Sequence, residues 1–266
     1  HQGIIYISCD FGIVQYNINT LEFGDTYFIG PNGQEIRIYQ TTVLNNEIYA
    51  VSQFFGIKKA SLSNPNLIDF AQWQTFDAGF WTGIVTFNNQ LICQNTNNGL
   101  YRYNGTNFQE IIIPPQPGKD IRVYNDKLIA TTENHVYVYN TSYFQETHIQ
   151  SNQINIPNLS FTCATFINNY IYIGTNNTGI ISINASSTSD MEVIMPKGPK
   201  RNYIFALKSS PTNLWVSYGG YDVEYNPNTF FQFSPTRFDI SKMTSTEWKH
   251  IPFADLLNAK SMTKIT

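Results

Sequence analysis

Three acidic residues, Asp10, Glu133 and Asp222, stand at matching places in a sequence that repeats. Two carboxylates held close together can act as general acid and general base, as they do in glycoside hydrolysis. If the repeats are arranged around an axis, these three side chains could face one another across it. The plainer interpretation is that each is a solvated turn residue. Both interpretations stay open, and we favour the second.

No other reactive residues form a recognisable catalytic or metal-binding motif. The four histidines, His1, His135, His148 and His250, are scattered, without a His-x-x-x-His pair. There is no Gly-x-Ser-x-Gly elbow and no sialidase-type Ser-x-Asp-x-Gly-x-x-Trp box. We expect His135 to replace a turn residue. The sequence therefore predicts no catalytic residue, no metal site and no cofactor.

Aromatic residues lie close to the same positions. The candidates are Phe54, Phe55, Phe80, Trp81 and Tyr221, which fall in the corresponding loops or in the neighbouring connections between repeats. Aromatic faces next to amides and carboxylates suit the apolar and hydroxyl sides of a sugar, or a peptide. The alternative, that each aromatic side chain fills a wedge between repeats, stays open. The candidate ligand-binding set is Asp10, Phe54, Phe55, Trp81, Glu133, Tyr221 and Asp222.

All these residues are positioned by one recurring unit: a short apolar strand, a polar or aromatic tip, a glycine and a second strand. Steps of 43, 43, 37, 43 and 43 residues separate the equivalent positions Tyr6, Tyr49, Ile92, Ile129, Tyr172 and Trp215. A nearly constant, strand-only step of about 40–50 residues is typical of β-propeller blades. We predict an all-β fold, a β-propeller of four-stranded antiparallel blades. Six repeats are visible, which is compatible with part of a seven-bladed or double propeller.

The repeats also predict blade boundaries and turns. We place the blades at about residues 1–35, 36–78, 79–118, 119–158, 159–200 and 201–255, with 256–266 beginning a further blade. The first blade lacks its inner strand, so the chain looks like a fragment of a longer one. Four inner strands end at Asn45-Asn46, Asn88-Asn89, Asn125-Asp126 and Asn168-Asn169. Asn and Asp tolerate the positive φ of type I′ turns. The sixth repeat predicts a longer loop over 209–213.

A glycine between the second and third strands recurs at Gly12, Gly56, Gly99, Gly179 and Gly220. We expect it to adopt a left-handed or bulged conformation that a β-carbon cannot enter cheaply. In an up-and-down blade, this loop opens on the same face as the connections between blades. That face should therefore collect the candidate ligand-binding residues.

Composition excludes several classes of function. Only 13% of the 266 residues are charged, the net charge is −3, and no basic run provides a nucleic-acid footprint. No apolar run approaches the ~20 residues of a membrane span. The widely spaced Cys9, Cys93 and Cys163 form no disulfide or zinc pattern, and we expect buried free thiols.

Several segments are more specific than the blade pattern. They are Tyr6–Asn17, Leu21–Gly30, Gly56–Ala60, Ser63–Phe70, Trp73–Phe76, Glu247–Pro252 and Asn258–Ser261. These segments resemble the first propeller of PorZ proteins, components of the type IX secretion system of Bacteroidetes. Leu21–Gly30 and Ser63–Phe70 are the most specific.

This resemblance implies a non-enzymatic component on the extracellular face of the outer membrane, which helps to attach secreted cargo to anionic lipopolysaccharide. Its partners would be other secretion-system proteins and surface polysaccharide. No family motif assigns ligand residues to positions in this chain.

Two other functions stay open at this stage. A glycan-sensing periplasmic propeller of a two-component regulator would show the same blade pattern. A membrane helix and kinase further along the chain would favour that sensor, and a C-terminal β-sandwich would favour secretion. An enzyme such as a lyase or glycosidase, using Asp10, Glu133 or Asp222, is the third alternative.

Overall fold

The computed structural model describes residues 1–95, 99–195, 197–201, 204–218 and 239–256. Over these residues the secondary structure consists of 23 β-strands and four short 3-10 helices, with six antiparallel sheets. Strands consecutive in sequence are neighbours within each sheet, which is the up-and-down order of a propeller blade. The predicted β-propeller of antiparallel blades is confirmed. No helix among the described residues is long and apolar enough to cross a membrane.

The strands of each blade follow one another along the chain. Blade 1 contains β1 (Ile4–Ser8), β2 (Ile13–Asn17) and β3 (Glu22–Tyr27). Blade 2 contains β4 (Ile38–Leu44), β5 (Glu47–Ser52), β6 (Gly56–Ser61) and β7 (Gln74–Asp77). Blade 3 contains β8 (Trp81–Phe87), β9 (Gln90–Asn95), β10 (Leu100–Tyr103) and β11 (Phe108–Ile112). Blade 4 contains β12 (Gly118–Tyr124), β13 (Lys127–Thr132), β14 (His135–Tyr139) and β15 (Gln145–Gln150).

The last two blades complete the described strands. Blade 5 contains β16 (Phe161–Ile167), β17 (Tyr170–Thr175), β18 (Ile180–Asn184) and β19 (Ser187–Ile194). Blade 6 contains β20 (Ile204–Ser210), β21 (Asn213–Tyr218), β22 (Ile240–Met243) and β23 (Trp248–Ile251). The 3-10 helices are Pro31–Gly33, Phe70–Gln72, Ser151–Gln153 and Phe253–Asp255.

The chain divides into two compact units, residues 1–194 and 195–266. The first unit holds blades 1–5, and the inner strands β4, β8, β12 and β16 lie side by side in that order. Blade 1 has three strands and lacks the inner one, as predicted. Blade 6 belongs to the second unit. Residues 256–266 are predicted to begin a further blade, and all of them except residue 256 lie outside the described residues.

The core of the first unit lies between neighbouring blades. Successive side chains of a strand point to opposite faces of its sheet, so each strand serves two interfaces. In β5, Ile48 and Ala50 pack toward blade 1, whereas Tyr49 and Val51 pack toward blade 3. A slip of one residue would exchange the two sets, so the buried faces fix the register.

The asparagine turns confirm the hairpin prediction in three blades. Both central residues of Asn45-Asn46, Asn88-Asn89 and Asn168-Asn169 have φ between 49° and 67°. The fourth turn differs: Asn125 has φ 51°, but Asp126 is not among the residues of the described chain with positive φ. The turn between β12 and β13 therefore departs from the predicted type.

The longer loop predicted for the sixth repeat is wrong. Ser210 pairs with Asn213, so only Pro211 and Thr212 remain in the turn between β20 and β21. Ser209 and Ser210 extend β20 instead of leaving it. Proline fits here because a turn position uses its fixed φ and requires no ladder N–H.

The cysteines differ in part from expectation. Beyond β3, which ends at Tyr27, Ile29 also belongs to the core. Of the cysteines, Cys93 is fully buried, which raises the pKa of its thiol. Cys9 is half-buried, whereas Cys163 lies on the exposed side of β16.

Candidate functional site

The loops between second and third strands lie beside the connections between blades, as predicted. The Ile38 N–H, at the start of β4, donates to the Cys9 carbonyl in the β1–β2 loop over 2.9 Å. The Phe161 N–H, at the start of β16, donates to the Glu133 carbonyl in the β13–β14 loop over 2.8 Å. We call this side of the first unit the tip face.

Asp10, Phe54 and Phe55 lie in one patch on the tip face, and Arg37 joins them: it bonds to Asp10 and lines a cavity together with the two phenylalanines. The Arg37 guanidinium donates to both carboxylate oxygens of Asp10, over 2.7 and 3.3 Å. The pair is largely exposed, so it contributes only about 0–1 kcal/mol to stability. A cavity of about 220 Å³ lies between residues 34–37 and 53–55. Phe54 is 73% exposed, and Phe55 packs against the core of blades 1 and 2. We call Asp10, Arg37, Phe54 and Phe55 the tip patch.

Glu133 has its own partners on the tip face. Ser160 Oγ donates to Glu133 Oε1 over 3.4 Å, and Lys119 Nζ lies 3.8 Å from Oε2. Within the described residues, no hydrogen bond or ion pair joins Glu133 to Asp10. Each of these two carboxylates is instead bound to residues near it, Asp10 to Arg37 and Glu133 to Ser160. Tyr221 and Asp222 lie outside the described residues.

Phe80 and Trp81 belong to a different site, a cavity of about 510 Å³ between the last strand of blade 2 and blade 3. Phe80 is 71% exposed, whereas Trp81 is only 8% exposed and forms part of the core. The volume falls in the ~300–1,000 Å³ range of small-molecule sites. We call this cavity the aromatic pocket. Its lining is Phe76, Asp77, Gly79, Phe80, Trp81, Asn95, Tyr101, Tyr103, Thr106, Asn107 and Phe108.

The rings of the aromatic pocket brace one another. The Trp81 and Phe108 centroids are 4.6 Å apart, and those of Phe76 and Tyr103 are 4.9 Å apart. Trp81 also meets Tyr101 edge to face at 5.5 Å. Tilted and edge-on contacts at such distances are favourable for aromatic pairs. These contacts hold the rings of Phe76, Trp81, Tyr101, Tyr103 and Phe108 against their neighbours.

The polar groups of the pocket are acidic or neutral. Asp77 Oδ1 accepts hydrogen bonds from Trp81 Nε1 and from the Gly79 N–H, each over 2.7 Å. Tyr101 donates its hydroxyl to Glu110 Oε2 over 3.0 Å, and this bond to a carboxylate raises the pKa of Tyr101. The described lining contains no lysine, arginine or histidine. Lys59 Nζ lies 5.6 Å from the Phe76 centroid but is paired with Glu47, so the Asp77 carboxylate is the charged group of the described lining itself.

Sequence reasoning identified Phe80 and Trp81 but missed the other rings of this pocket. Tyr101 and Tyr103 are two positions apart in β10 and therefore share a face, which is the available sequence signal. Phe76 comes from the preceding blade. Only the packing of two blades brings these side chains together.

Two histidines of blade 4 pair in the structure. His135 Nδ1 lies 2.9 Å from His148 Nε2, and the His148 ring stacks on Tyr137 with centroids 4.4 Å apart. Burial lowers the pKa of both histidines, and proximity to His135 lowers that of His148 further. His135 was expected in a turn but begins β14. The described residues contain no group of three or more His, Cys, Asp or Glu arranged to hold a metal ion.

Comparison with known proteins identifies a related family for the first part of the chain. Residues 1–74 match the family model of the N-terminal β-propeller domain of PorZ, a type IX secretion protein. The two most specific segments, Leu21–Gly30 and Ser63–Phe70, lie inside this match. The resemblance to PorZ is therefore confirmed for this stretch, whereas Glu247–Pro252 and Asn258–Ser261 lie beyond it. No curated protein matches the chain.

Solved structures show the same fold at low identity. PorZ of Porphyromonas gingivalis, described as an essential bacterial surface component of the type IX secretion system, has a TM-score of 0.64 at 14% identity. The match covers 94% of this chain and 32% of PorZ, so the chain spans about a third of that protein's length. YCF48 bound to D1 peptide gives 0.51 at 9% identity, covering 94% and 79%. A chain of the mitotic checkpoint complex gives 0.52 at 8% identity, covering 98% and 76%.

Proposed function

We propose that this chain is a non-enzymatic binding and scaffolding propeller of the cell-surface type IX secretion system. It assists the attachment of secreted cargo to surface lipopolysaccharide, at the extracellular face of the outer membrane. Its partners are other secretion-system proteins and surface polysaccharide. The match of residues 1–74 to the PorZ N-terminal propeller carries this proposal.

The tip face supports a role in binding. Asp10 is bound by Arg37, and Glu133 faces Lys119, so these carboxylates have partners other than each other. Phe54 adds a large apolar side chain that is 73% exposed beside a small cavity. An exposed aromatic ring surrounded by charged groups is typical of a protein contact site.

A pull-down from native outer membranes tests this function. The chain should recover other secretion components from solubilised membranes, and Phe54→Ser should reduce their recovery about tenfold if Phe54 is a contact of the kind that dominates interfaces. Phe144→Ser is the matched control, because Phe144 is 71% exposed and lies in the β14–β15 turn, outside the tip patch. Recovery of cytoplasmic proteins alone would contradict the proposal. Equal losses in both variants would remove the tip patch from it.

A further inference from the structure

The aromatic pocket has the size and the surfaces of a ligand site. Six aromatic side chains line its volume of about 510 Å³, and Phe80, which is 71% exposed, provides an apolar surface at the open side of the cavity. A ligand with an apolar face would cover it.

The polar groups that line the pocket indicate which class of ligand would supply this apolar face. Asp77, Thr106 and Asn107 place a carboxylate, a hydroxyl and an amide around the rings. The Asp77 carboxylate is held in place because Oδ1 accepts from Trp81 Nε1 and from the Gly79 N–H. A pyranose ring has a face of C–H groups that stacks on aromatic rings, and a rim of hydroxyls that hydrogen-bonds to carboxylates and amides.

Charge narrows the choice to an uncharged sugar. Asp77 lines the pocket, Glu110 is bound to Tyr101, and the described lining contains no cationic side chain. An anionic sugar or a phosphate would be repelled by these two carboxylates. A quaternary ammonium ion would suit the charge, but it offers no row of hydroxyls to the hydroxyl of Thr106 and the amide of Asn107, which line the same cavity.

We propose that the aromatic pocket binds an uncharged pyranose unit of a glycan chain. The sugar stacks on Phe80 and the neighbouring rings, and its hydroxyls donate to the Asp77 carboxylate and the Asn107 amide oxygen. This inference rests on the proposed binding function and narrows it to one ligand class and one site. It places the sugar in the wedge between blades 2 and 3, separate from the tip patch.

Saturation-transfer NMR on the full chain tests this proposal with three uncharged disaccharides: maltose, cellobiose and mannobiose. We expect transfer from aromatic protons to the C–H protons of at least one of them. Phe80→Ser should weaken that binding about tenfold or more, because it removes the exposed stacking surface. Phe144→Ser, which removes an equally exposed ring from the β14–β15 turn of blade 4, should leave the binding unchanged.

Asp77→Asn provides a second variant that keeps the fold. The asparagine side-chain oxygen can still accept from Trp81 Nε1 and the Gly79 N–H, while the negative charge is lost. Disaccharide affinity should fall, because the amide NH2 takes the place of the second carboxylate oxygen and cannot accept a hydrogen bond from a sugar hydroxyl. Digalacturonate, which wild type should reject, should bind the variant more tightly than wild type.

The remaining outcomes overturn the inference. The first is that none of the three disaccharides receives transfer, and the second is that Phe80→Ser binds them as tightly as wild type does. The third is that digalacturonate binds wild type more tightly than it binds Asp77→Asn, and the fourth is that the protein binds choline but no sugar. If sugar binding fails while the membrane pull-down still recovers secretion components, the pocket assignment falls and the proposed function stands. If Phe80-dependent sugar binding appears while the pull-down recovers only cytoplasmic proteins, the proposed function falls and the pocket assignment stands.

Discussion

Gly56 shows how a single residue without a side chain fixes the geometry of a blade. Its φ is 66°, and a β-carbon added there would lie 2.0 Å from the Asp77 carbonyl oxygen. That carbonyl cannot simply retreat, because Asp77 pairs with Ile57 in the ladder between β6 and β7. We expect Gly56→Ala to lower the free energy of unfolding by about 3 kcal/mol, since strain and clash add. Urea denaturation measures this loss.

Gly105 is the matched control for this substitution. Its φ is 100°, but a β-carbon there would meet no atom within 4 Å. Gly105→Ala should therefore cost only the backbone strain, about 1 kcal/mol. Equal losses at the two glycines would show that the close approach of β6 and β7 is not what requires Gly56.

The paired histidines predict that acid destabilises the fold. The pKa values of His135 and His148 lie below the ordinary 6.5, mainly because burial disfavours their charged forms. As pH falls from 6.5 through the lowered values, the unfolded chain binds more protons than the folded chain. The contribution of these two histidines to the free energy of unfolding is therefore fully present above pH 6.5, and it is lost as the pH falls below that value. Urea denaturation across about pH 5–8 measures this decline.

His148→Gln tests whether the histidine pair causes that decline. The variant leaves His135 without a neighbouring ring that can be charged. It also removes one group that takes up a proton when the chain unfolds at acid pH. The fall in stability with acid should become shallower than in the wild type. An unchanged slope would assign the pH dependence to other groups.

At the level of elements, the asparagine turns predict a stabilising substitution. Asn89 has φ 57°, is exposed, and its side chain makes no hydrogen bond in the described structure. Asn89→Gly creates the Asn-Gly pair that type I′ turns prefer, and should raise the free energy of unfolding by about 0.5 kcal/mol. Thermal and urea denaturation measure the gain.

Asn46 occupies the equivalent place in blade 2 and serves as the control. Its side-chain amide donates to Ser63 Oγ over 2.7 Å. Asn46→Gly should gain the same stability from a residue that adopts positive φ more readily, but it should lose this hydrogen bond, worth about 0.5–1 kcal/mol. The net change in the free energy of unfolding should therefore be close to zero. A gain as large as that of Asn89→Gly would show that the Ser63 contact contributes nothing.

These turns also explain how much of the fold could be predicted from sequence. The nearly constant spacing of the repeats and the Asn pairs suited to positive φ both specify hairpins locally. The sequential order of strands and blades can therefore be predicted without knowledge of tertiary contacts. The turn at Pro211 could not be predicted in this way, because Ser209 and Ser210 suit a loop as well as a strand. Their pairing with Leu214 and Asn213 in β21 decided the outcome.

The aromatic pocket was less predictable, because it forms between elements. The repeat identifies Tyr101 and Tyr103 as strand residues but does not reveal the width of the wedge that they face. Trp81 is predicted from sequence as a ligand contact. In the structure its indole N–H donates to Asp77, and its ring forms a wall of a pocket that sequence alone did not show.

In the first unit as a whole, each inner strand is an edge strand of its blade, so its outward N–H and C=O groups need partners from outside that sheet. An edge strand exposes unpaired N–H and C=O groups. Thr86 Oγ1 donates to the Val43 carbonyl over 2.9 Å and so joins the inner strands of blades 3 and 2. Gln40 reaches further: its amide accepts from the Ile84 N–H over 3.1 Å and donates to the Ile121 carbonyl over 2.9 Å. One side chain therefore connects the inner strands of three blades.

Gln40 is thus predicted to stabilise the first unit beyond its own blade. Gln40→Leu keeps the size of the side chain but leaves the Ile84 N–H and the Ile121 carbonyl without this partner. We expect the free energy of unfolding to fall by about 2 kcal/mol, since each partly buried orphan costs about 1 kcal/mol or more. Gln109→Leu is the control, because Gln109 is exposed on β11 and bonds only to Arg102 of its own blade. That variant should change stability by less than about 0.5 kcal/mol, as surface substitutions usually do. If urea denaturation gives the same small effect for both, side-chain bridging does not hold the inner strands together, and their packing alone must do so.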